Sequence, residues 1–344
     1  MAFRTLFLIC KSVVPVAFVV CTSVAPSIGE DLRVRPFRKI TCTEKTAFGA
    51  AVDSMQRLVA TCGGDNQVSL WDLQTSKLIR QWRPSGGAVL DVAFQPRGHL
   101  VASASYPKSL TLYDTKADQE VWQVDCLGAP TRVAFSRDGS KIGVGFLYGN
   151  AAVYDSKNGR LISATNESCA NSNAIEFSPD GESFVLAVNT KRKEPGIARL
   201  MLCDTGTGKS IRTLCEHAVQ IQRARFSPNG ARVASVDRSG LCRLTDAKSG
   251  RKIQEWQLAF EPGANLQFLD NDTIVVGCQS GIATLRVGNA DPTAIESSGG
   301  VNLVVALPQR GIIASAVTNE LRLFQFDRSR IEQTKFVSQT LSLI

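Results

Sequence analysis

The sequence predicts an all-β fold assembled from one small antiparallel unit repeated along the chain, on three observations. First, an apolar, strand-like run closing on an Asp recurs at Trp71-Asp72, Tyr113-Asp114, Tyr154-Asp155, Cys203-Asp204 and Thr245-Asp246, with steps of 42, 41, 49 and 42 residues. The next clear match, Phe326-Asp327, lies 81 residues on, close to two periods, and a degenerate unit at residues 267–287 fills the gap. Second, a Phe-turn marker keeps step: Phe94-Gln-Pro-Arg-Gly98, Phe135-Ser-Arg-Asp-Gly139, Phe177-Ser-Pro-Asp-Gly181 and Phe226-Ser-Pro-Asn-Gly230. Third, short runs rich in Val, Ile, Ala, Phe and Leu alternate with Gly, Asn, Asp and Pro turns, and no helical period of useful length occurs. A period near 42 residues has room for four short strands, and such units bury their faces by stacking on one another.

These residues resemble the WD-repeat β-propeller family, over residues 35–330. Val68-Ser-Leu-Trp-Asp72 and Asp204-Thr-Gly-Thr-Gly-Lys209 are the nearest matches to the repeat, and the unit around residues 266–287 is weak. The resemblance implies a seven-bladed WD-repeat β-propeller with blades beginning near Ala47, Ala88, Pro130, Asn173, Gln220, Ala264 and Val301. Each unit divides into short strands, which in blade five fall at residues 223–226, 231–235, 242–245 and 252–256. Blade seven supplies three strands within residues 302–326. A closed ring needs its last blade tied to its first, so an N-terminal strand at residues 37–42 is expected to join the last blade, with residues 335–340 as the alternative.

Residues 30–344 are thus expected to form a single propeller domain, and a hydrophobic fraction of 44% with 20% charged residues suits a packed globular array. Residues 1–29 read as a signal peptide or membrane anchor: Arg4 precedes apolar stretches at 6–10 and 13–20, and small residues lead to a cut ahead of Glu30. Lys11 and Pro15 interrupt the ~20 apolar residues that a spanning helix needs. The expected location is therefore outside the cytoplasm (periplasmic, extracellular or membrane-tethered), with a cytoplasmic protein as the alternative. Of ten cysteines, Cys10 and Cys21 fall in this leader. Cys126, Cys169 and Cys215 fall at equivalent outer points of successive blades, where neighbours stand roughly 17 Å apart for strands ~4.8 Å apart. Disulfides need Cα atoms within about 7 Å, so these three are expected to stay unpaired and most others to act as small buried hydrophobes.

Chemistry is sparse. Only two histidines occur, there is no Cys-x-x-Cys pair, and no catalytic, cofactor-binding or metal-binding residues are assigned. Gly206-Thr-Gly-Lys-Ser210 looks like the end of a phosphate-binding loop. The motif's first Gly is replaced by Cys203, however, and a strand rather than a helix follows. The family often carries a His nine residues before the Phe, bonded within the blade to Ser or Thr, Asp and Trp. Here His217 precedes Phe226 by nine with Ser235 in phase, but Thr245 stands at the Trp position. Blade one keeps Thr61, Asp65 and Trp71 while Thr43 holds the His position, so no complete network is expected.

Two sets of residues remain as candidates. Three and one positions before the Phe markers stand Asp91, Arg132, Glu176, Arg223 and Arg225, on inner strands beside the axis; Glu176 and Arg225 are placed to pair between blades four and five. They read as structural ion pairs or as a charged channel mouth receiving an anionic group. The second set lies on hairpins between second and third strands, which the resemblance places on the partner-binding face: Tyr106, Leu147, Tyr148 and the basic run Lys191, Arg192, Lys193 in the extended blade-four loop. The leading expectation is a non-enzymatic scaffold mediating protein–protein interaction, exported, monomeric and binding one or more proteins. An enzyme or small-ligand binder using the axial channel is the alternative, and anionic polymer or lipid binding through the blade-four loop the third. Nucleic acid is disfavoured, because the basic run lacks the interleaved aromatics that stack on bases; membrane contact is expected only through an uncleaved N-terminal segment.

Overall fold

The computed structural model describes residues 35–41, 47–147, 150–166, 172–189, 197–258, 262–278, 281–296, 303–307, 312–317 and 320–325. No helix occurs among these residues. They form four-stranded antiparallel sheets, and the chain is an all-β propeller.

Six sheets each use four strands consecutive in the chain. Sheet one is β2 (Ala47–Val52), β3 (Leu58–Gly63), β4 (Val68–Asp72) and β5 (Leu78–Trp82). Sheet two is β6 (Val89–Phe94), β7 (Leu100–Ser105), β8 (Ser109–Asp114) and β9 (Gln119–Asp125). Sheet three is β10 (Pro130–Phe135), β11 (Lys141–Phe146), β12 (Ala151–Asp155) and β13 (Leu161–Ala164). Sheet four is β14 (Ile175–Phe177), β15 (Ser183–Val188), β16 (Ala198–Asp204) and β17 (Ser210–His217). Sheet five is β18 (Ile221–Phe226), β19 (Arg232–Asp237), β20 (Leu241–Asp246) and β21 (Lys252–Gln257). Sheet six is β22 (Pro262–Phe268), β23 (Thr273–Cys278), β24 (Gly281–Arg286) and β25 (Thr293–Glu296). A further sheet is composite: β26 (Leu303–Leu307), β27 (Ile312–Val317) and β28 (Glu320–Gln325) are completed by β1 (Arg35–Thr41). Its closing register runs from Arg35 opposite Gln325 to Thr41 opposite Glu320, close to the segment expected from the sequence. The alternative closing segment, residues 335–340, lies outside the described residues.

The first strands of successive sheets touch in order, β2 on β6, β6 on β10, and so on to β22 on β26, and β26 returns to β2. These strands therefore surround the axis. The core lies between sheets rather than within one. Ala102, Leu110 and Leu112 of sheet two pack with Val133, Ile142 and Val144 of sheet three, and Trp256 of sheet five packs with Ile274 and Leu285 of sheet six. Both sheet faces are thus apolar, which is why strict alternation is blurred in the sequence.

The repeated Asp has a local cause. Asp72 Oδ1 accepts from the Thr75 amide (2.7 Å) and hydroxyl (3.0 Å). Asp204 does the same with Thr207 (2.8 and 2.6 Å), and Asp246 with Ser249 (both 2.7 Å). Each carboxylate thereby caps the turn into the outer strand. Hydrogen bonds from these Thr and Ser residues hold all three Asp below the usual carboxylate range. Gly206-Thr-Gly-Lys-Ser210 is one of these turns, with Gly208 at φ +70° donating to the Asp204 carbonyl at 2.9 Å. No helix N-terminus follows it, and β17 does. The Phe marker ends similarly: Ser136, Ser178 and Ser227 hydroxyls bond Asp138, Asp180 and Asn229, and Gly139, Gly181 and Gly230 take the positive φ that closes the turn.

Candidate functional site

The axial charges converge. Asp91 on β6, Arg132 on β10, and Arg223 and Arg225 on β18 line one cavity of about 290 Å³, walled also by Ala50 to Val52 on β2, Ile175 on β14 and Gln267 on β22. The turn residues Asp53, Ser54 and Gln56 belong to the same wall, so the cavity sits at the end of the axis where first strands turn into second strands. Alternation places these side chains inward. In a strand, residues two apart share a face, so Arg223 and Arg225 both point to the axis while buried Ala224 packs among the sheets.

Arg225 Nη1 donates to Glu176 Oε2 at 3.0 Å, across sheets four and five. Burial pushes the Glu176 carboxyl upward and the facing Arg225 guanidinium pulls it back. Asp91 is fixed by a neighbouring strand, because its Oδ2 accepts the Val133 amide at 3.1 Å. Gly49 makes room for it: a Cβ there would lie 2.9 Å from Asp91 Oδ1 and 3.0 Å from Cys62 Sγ. Arg132 Nη1 donates to the Thr131 carbonyl at 2.8 Å, while its buried Nε has no hydrogen-bond partner. Arg223 is 5% exposed and donates from Nη1 to the Asn173 carbonyl at 3.3 Å. Burial, then the Arg132 guanidinium, lowers its hold on its proton.

The hairpin candidates stand at the opposite end of the sheets, as antiparallel order requires of a second-to-third strand connection. Tyr106, between β7 and β8, is half-buried, its amide donating to the Ala88 carbonyl and its carbonyl accepting from Gly87. Leu147, half-buried after β11, donates to the Ala129 carbonyl. Both hairpins thus lean on the connection entering their own sheet. Tyr148, Lys191, Arg192 and Lys193 lie outside the described residues, as do residues 1–29.

This end also carries three apolar side chains that sequence reasoning missed. Leu127 (59% exposed) and Val219 (39%) sit in connections entering sheets three and five, and Ile197 (54%) immediately precedes β16. Leu127 adjoins Gly128, whose position faces the Phe146 ring at 3.3 Å, beside Leu147. They fall in irregular connections, so no strand period marks them.

A second omission concerns His217. As expected the network is incomplete, but sequence reasoning missed its acid: His217 is fully buried, with Nδ1 2.8 Å from Asp237 Oδ2 and Nε2 2.9 Å from Ser235 Oγ. Only the Trp position, Thr245, is vacated. In blade one the other half survives, with Trp71 Nε1 donating to Thr61 Oγ1 at 2.9 Å. Asp237 closes a tight turn by accepting from Ser239 and Leu241, so its sequence context reads as turn chemistry alone.

No group of three or more His, Cys, Asp or Glu is arranged to hold a metal among the described residues. Cys62, Cys126 and Cys215 are free thiols, and Cys62, Cys126, Cys203 and Cys242 are buried. Cys169 lies outside the described residues.

The family described as "WD domain, G-beta repeat" matches residues 76–114 and 208–246. Among curated proteins, the "Periodic tryptophan protein 2 homolog" of Dictyostelium discoideum is 27% identical over 46% of this chain and 20% of its own length. The mouse protein of the same name is 26% identical over 52% of this chain and 19% of its own. "Eukaryotic translation initiation factor 3 subunit I" of Phaeosphaeria nodorum is 28% identical over 42% of this chain and 45% of its own. The chain thus spans less than half the length of each of these relatives. The comparison overturns the expectation of export, since a translation initiation factor subunit is named for a process inside the cell.

Proposed function

The chain is a WD-repeat protein, and from that premise we propose that it is a non-enzymatic intracellular scaffold that binds another protein. On this reading six blades of consecutive strands and a seventh, composite blade make a rigid ring. The contact surface is the end that carries the second-to-third strand hairpins. One observation carries the proposal: five apolar side chains, Tyr106, Leu127, Leu147, Ile197 and Val219, gather in the connections at that end, three of them large aliphatics left exposed. Apolar anchors of this kind, ringed by polar loop residues, mark protein interfaces. Tyr148, Lys191, Arg192 and Lys193 lie outside the described residues; by sequence they fall between second and third strands, and a basic run of this kind favours an acidic partner. The names of the relatives fit membership of larger protein assemblies, as "subunit I" states of its own protein.

The test is quantitative capture of protein partners from native extract by wild type, by a Leu127→Asp/Leu147→Asp double variant, and by Met55→Asp. Met55, 67% exposed, lies in the turn at the other end of sheet one. Capture of the partner should fall tenfold or more in the double variant and be unchanged in Met55→Asp. Equal recovery by all three proteins, with melting curves alike, overturns the proposed surface.

A further inference from the structure

The axial cavity lies at the other end of the ring from the proposed interaction surface, and its charges balance. Accepting a backbone amide leaves a carboxylate its negative charge, so Asp53 and Asp91 on the wall count as anions, as does Glu176 beside it. Against them stand the guanidiniums of Arg132, Arg223 and Arg225, which stay protonated at any physiological pH. Three acids facing three arginines leave neither sign in excess. The cavity therefore has no call for a simple anion or a simple cation, and a ligand that suits it is neutral overall.

Most of these groups are engaged within the protein. Arg225 pairs with Glu176, Arg223 donates to the Asn173 carbonyl, and Asp53 accepts the Arg57 and Leu58 amides. Asp91 on β6 and Arg132 on β10 differ. They stand at the same level of successive blades, three positions before the Phe, and backbone holds each in place: Asp91 Oδ2 accepts the Val133 amide at 3.1 Å, and Arg132 Nη1 donates to the Thr131 carbonyl at 2.8 Å. Among the described residues, Asp91 Oδ1 accepts no hydrogen bond, and Arg132 Nε, although buried, donates to none. Gln56, 8% exposed, lines the same cavity, and its buried Oε1 is likewise without a partner. Buried polar atoms left unpaired are costly and rare. Here two acceptors and one donor of this kind surround a single cavity, with a negative and a positive group fixed side by side.

We infer that the axial cavity binds a compact zwitterion of the α-amino acid class, its ammonium received by Asp91 Oδ1 and Gln56 Oε1 and its carboxylate by Arg132. An ammonium brings donors for both acceptors, and a carboxylate matches the planar guanidinium fork. Each end of the ligand meets its opposite charge, so the balance of the cavity is preserved. Because backbone bonds fix both charged groups beforehand, little side-chain ordering opposes binding. At about 290 Å³ the cavity stands at the small end of ligand pockets, which suits an amino acid with a short side chain. These residues do not overlap with the protein-binding surface, so the two proposals stand or fall separately.

Isothermal titration of the full chain with glycine, L-alanine and L-serine, near neutral pH and at constant ionic strength, tests it, with acetate and methylammonium as the singly charged halves. At least one amino acid should bind saturably, and at least tenfold more tightly than either half. Asp91→Asn should weaken the amino acid tenfold or more yet tighten acetate several-fold. Arg132→Gln should weaken the amino acid equally yet tighten methylammonium, and such opposite changes cannot come from misfolding. Lys157→Gln, which removes a charge from an exposed turn, should alter neither affinity. Absence of saturable binding by all three amino acids overturns the inference. So does acetate or methylammonium binding as tightly as the amino acids, or an amino-acid affinity left unchanged by Asp91→Asn or by Arg132→Gln.

Discussion

At the scale of single residues, His217, Ser235 and Asp237 form a buried hydrogen-bonded triad, and its charge state follows from its partners. Burial alone would lower the His217 imidazole, but the bonds to Asp237 and Cys215 outweigh it and leave the imidazole above its ordinary value. Burial raises Asp237, yet His217 and Ser239 bring it below the usual carboxylate range. A raised His217 stabilises the fold fully below the unfolded imidazole value and loses that contribution as pH climbs through the folded one. A depressed Asp237 contributes above the unfolded carboxylate value and loses it as pH falls through the folded one. Together the pair is strongest between about pH 4 and 6.5. His217→Gln should therefore cost about 1–3 kcal/mol at pH 6, as expected for disrupting a buried hydrogen-bonded group. The cost should shrink towards pH 8.5. Urea unfolding of both proteins across that range checks it, and a cost independent of pH would contradict the charged pair.

At the scale of strands and sheets, neighbouring blades are fastened at their outer edges by tryptophans. Trp122 on β9 donates from Nε1 to the Ser156 carbonyl of sheet three at 2.9 Å, and Trp256 on β21 donates to the Asn289 carbonyl of sheet six at 2.8 Å. Trp82 on β5 stacks instead on Tyr113 of sheet two, with centroids 4.3 Å apart and planes 8° from parallel. Trp256 is 2% exposed within the cluster joining sheets five and six. Trp256→Ala should destabilise by about 3–5 kcal/mol through the cavity it leaves, whereas Trp256→Phe, losing chiefly the hydrogen bond, should cost about 1–2 kcal/mol. Chemical denaturation measures both, and equal costs would mean that packing contributes nothing beyond the bond. These outer tryptophans show where the sequence was legible. The Asp and Phe markers could be read because each turn needs a side-chain acceptor at one fixed place. Inner-strand charges could be read because period two sends positions one and three before the Phe to the same face. Asp237 and Leu127 could not, since one is disguised as turn chemistry and the other sits where no period operates. In sheet six the Asp marker has drifted to Leu285-Arg286, and only the strands themselves keep the step.

At the scale of the whole molecule, everything depends on closing the ring. Blades contact only their neighbours, so stability is approximately a sum of blade and interface contributions, and a loose junction exposes two sheet faces at once. Here the junction combines β26 against β2 with β1 hydrogen-bonded to β28. β1 precedes sheet one in the chain, yet it completes the sheet that ends the array. The two extremes of the described fold are thereby tied by backbone hydrogen bonds, interrupted by one irregularity between Pro36 and Arg38. Without β1, β28 becomes an exposed edge strand, open to pairing with other chains. Two truncations separate the contribution of this strand from that of the residues before it: removal of residues 1–34 and removal of residues 1–41. The longer deletion should melt roughly 5 °C or more below the shorter, given that several kcal/mol shift a chain of this size by a few degrees each. It should also aggregate sooner on heating, because its loss leaves both an unpaired edge and a weakened β26–β2 junction. Scanning calorimetry with light scattering reads both effects, and coincident melting of the two truncations would show that the ring is held by inter-sheet packing alone.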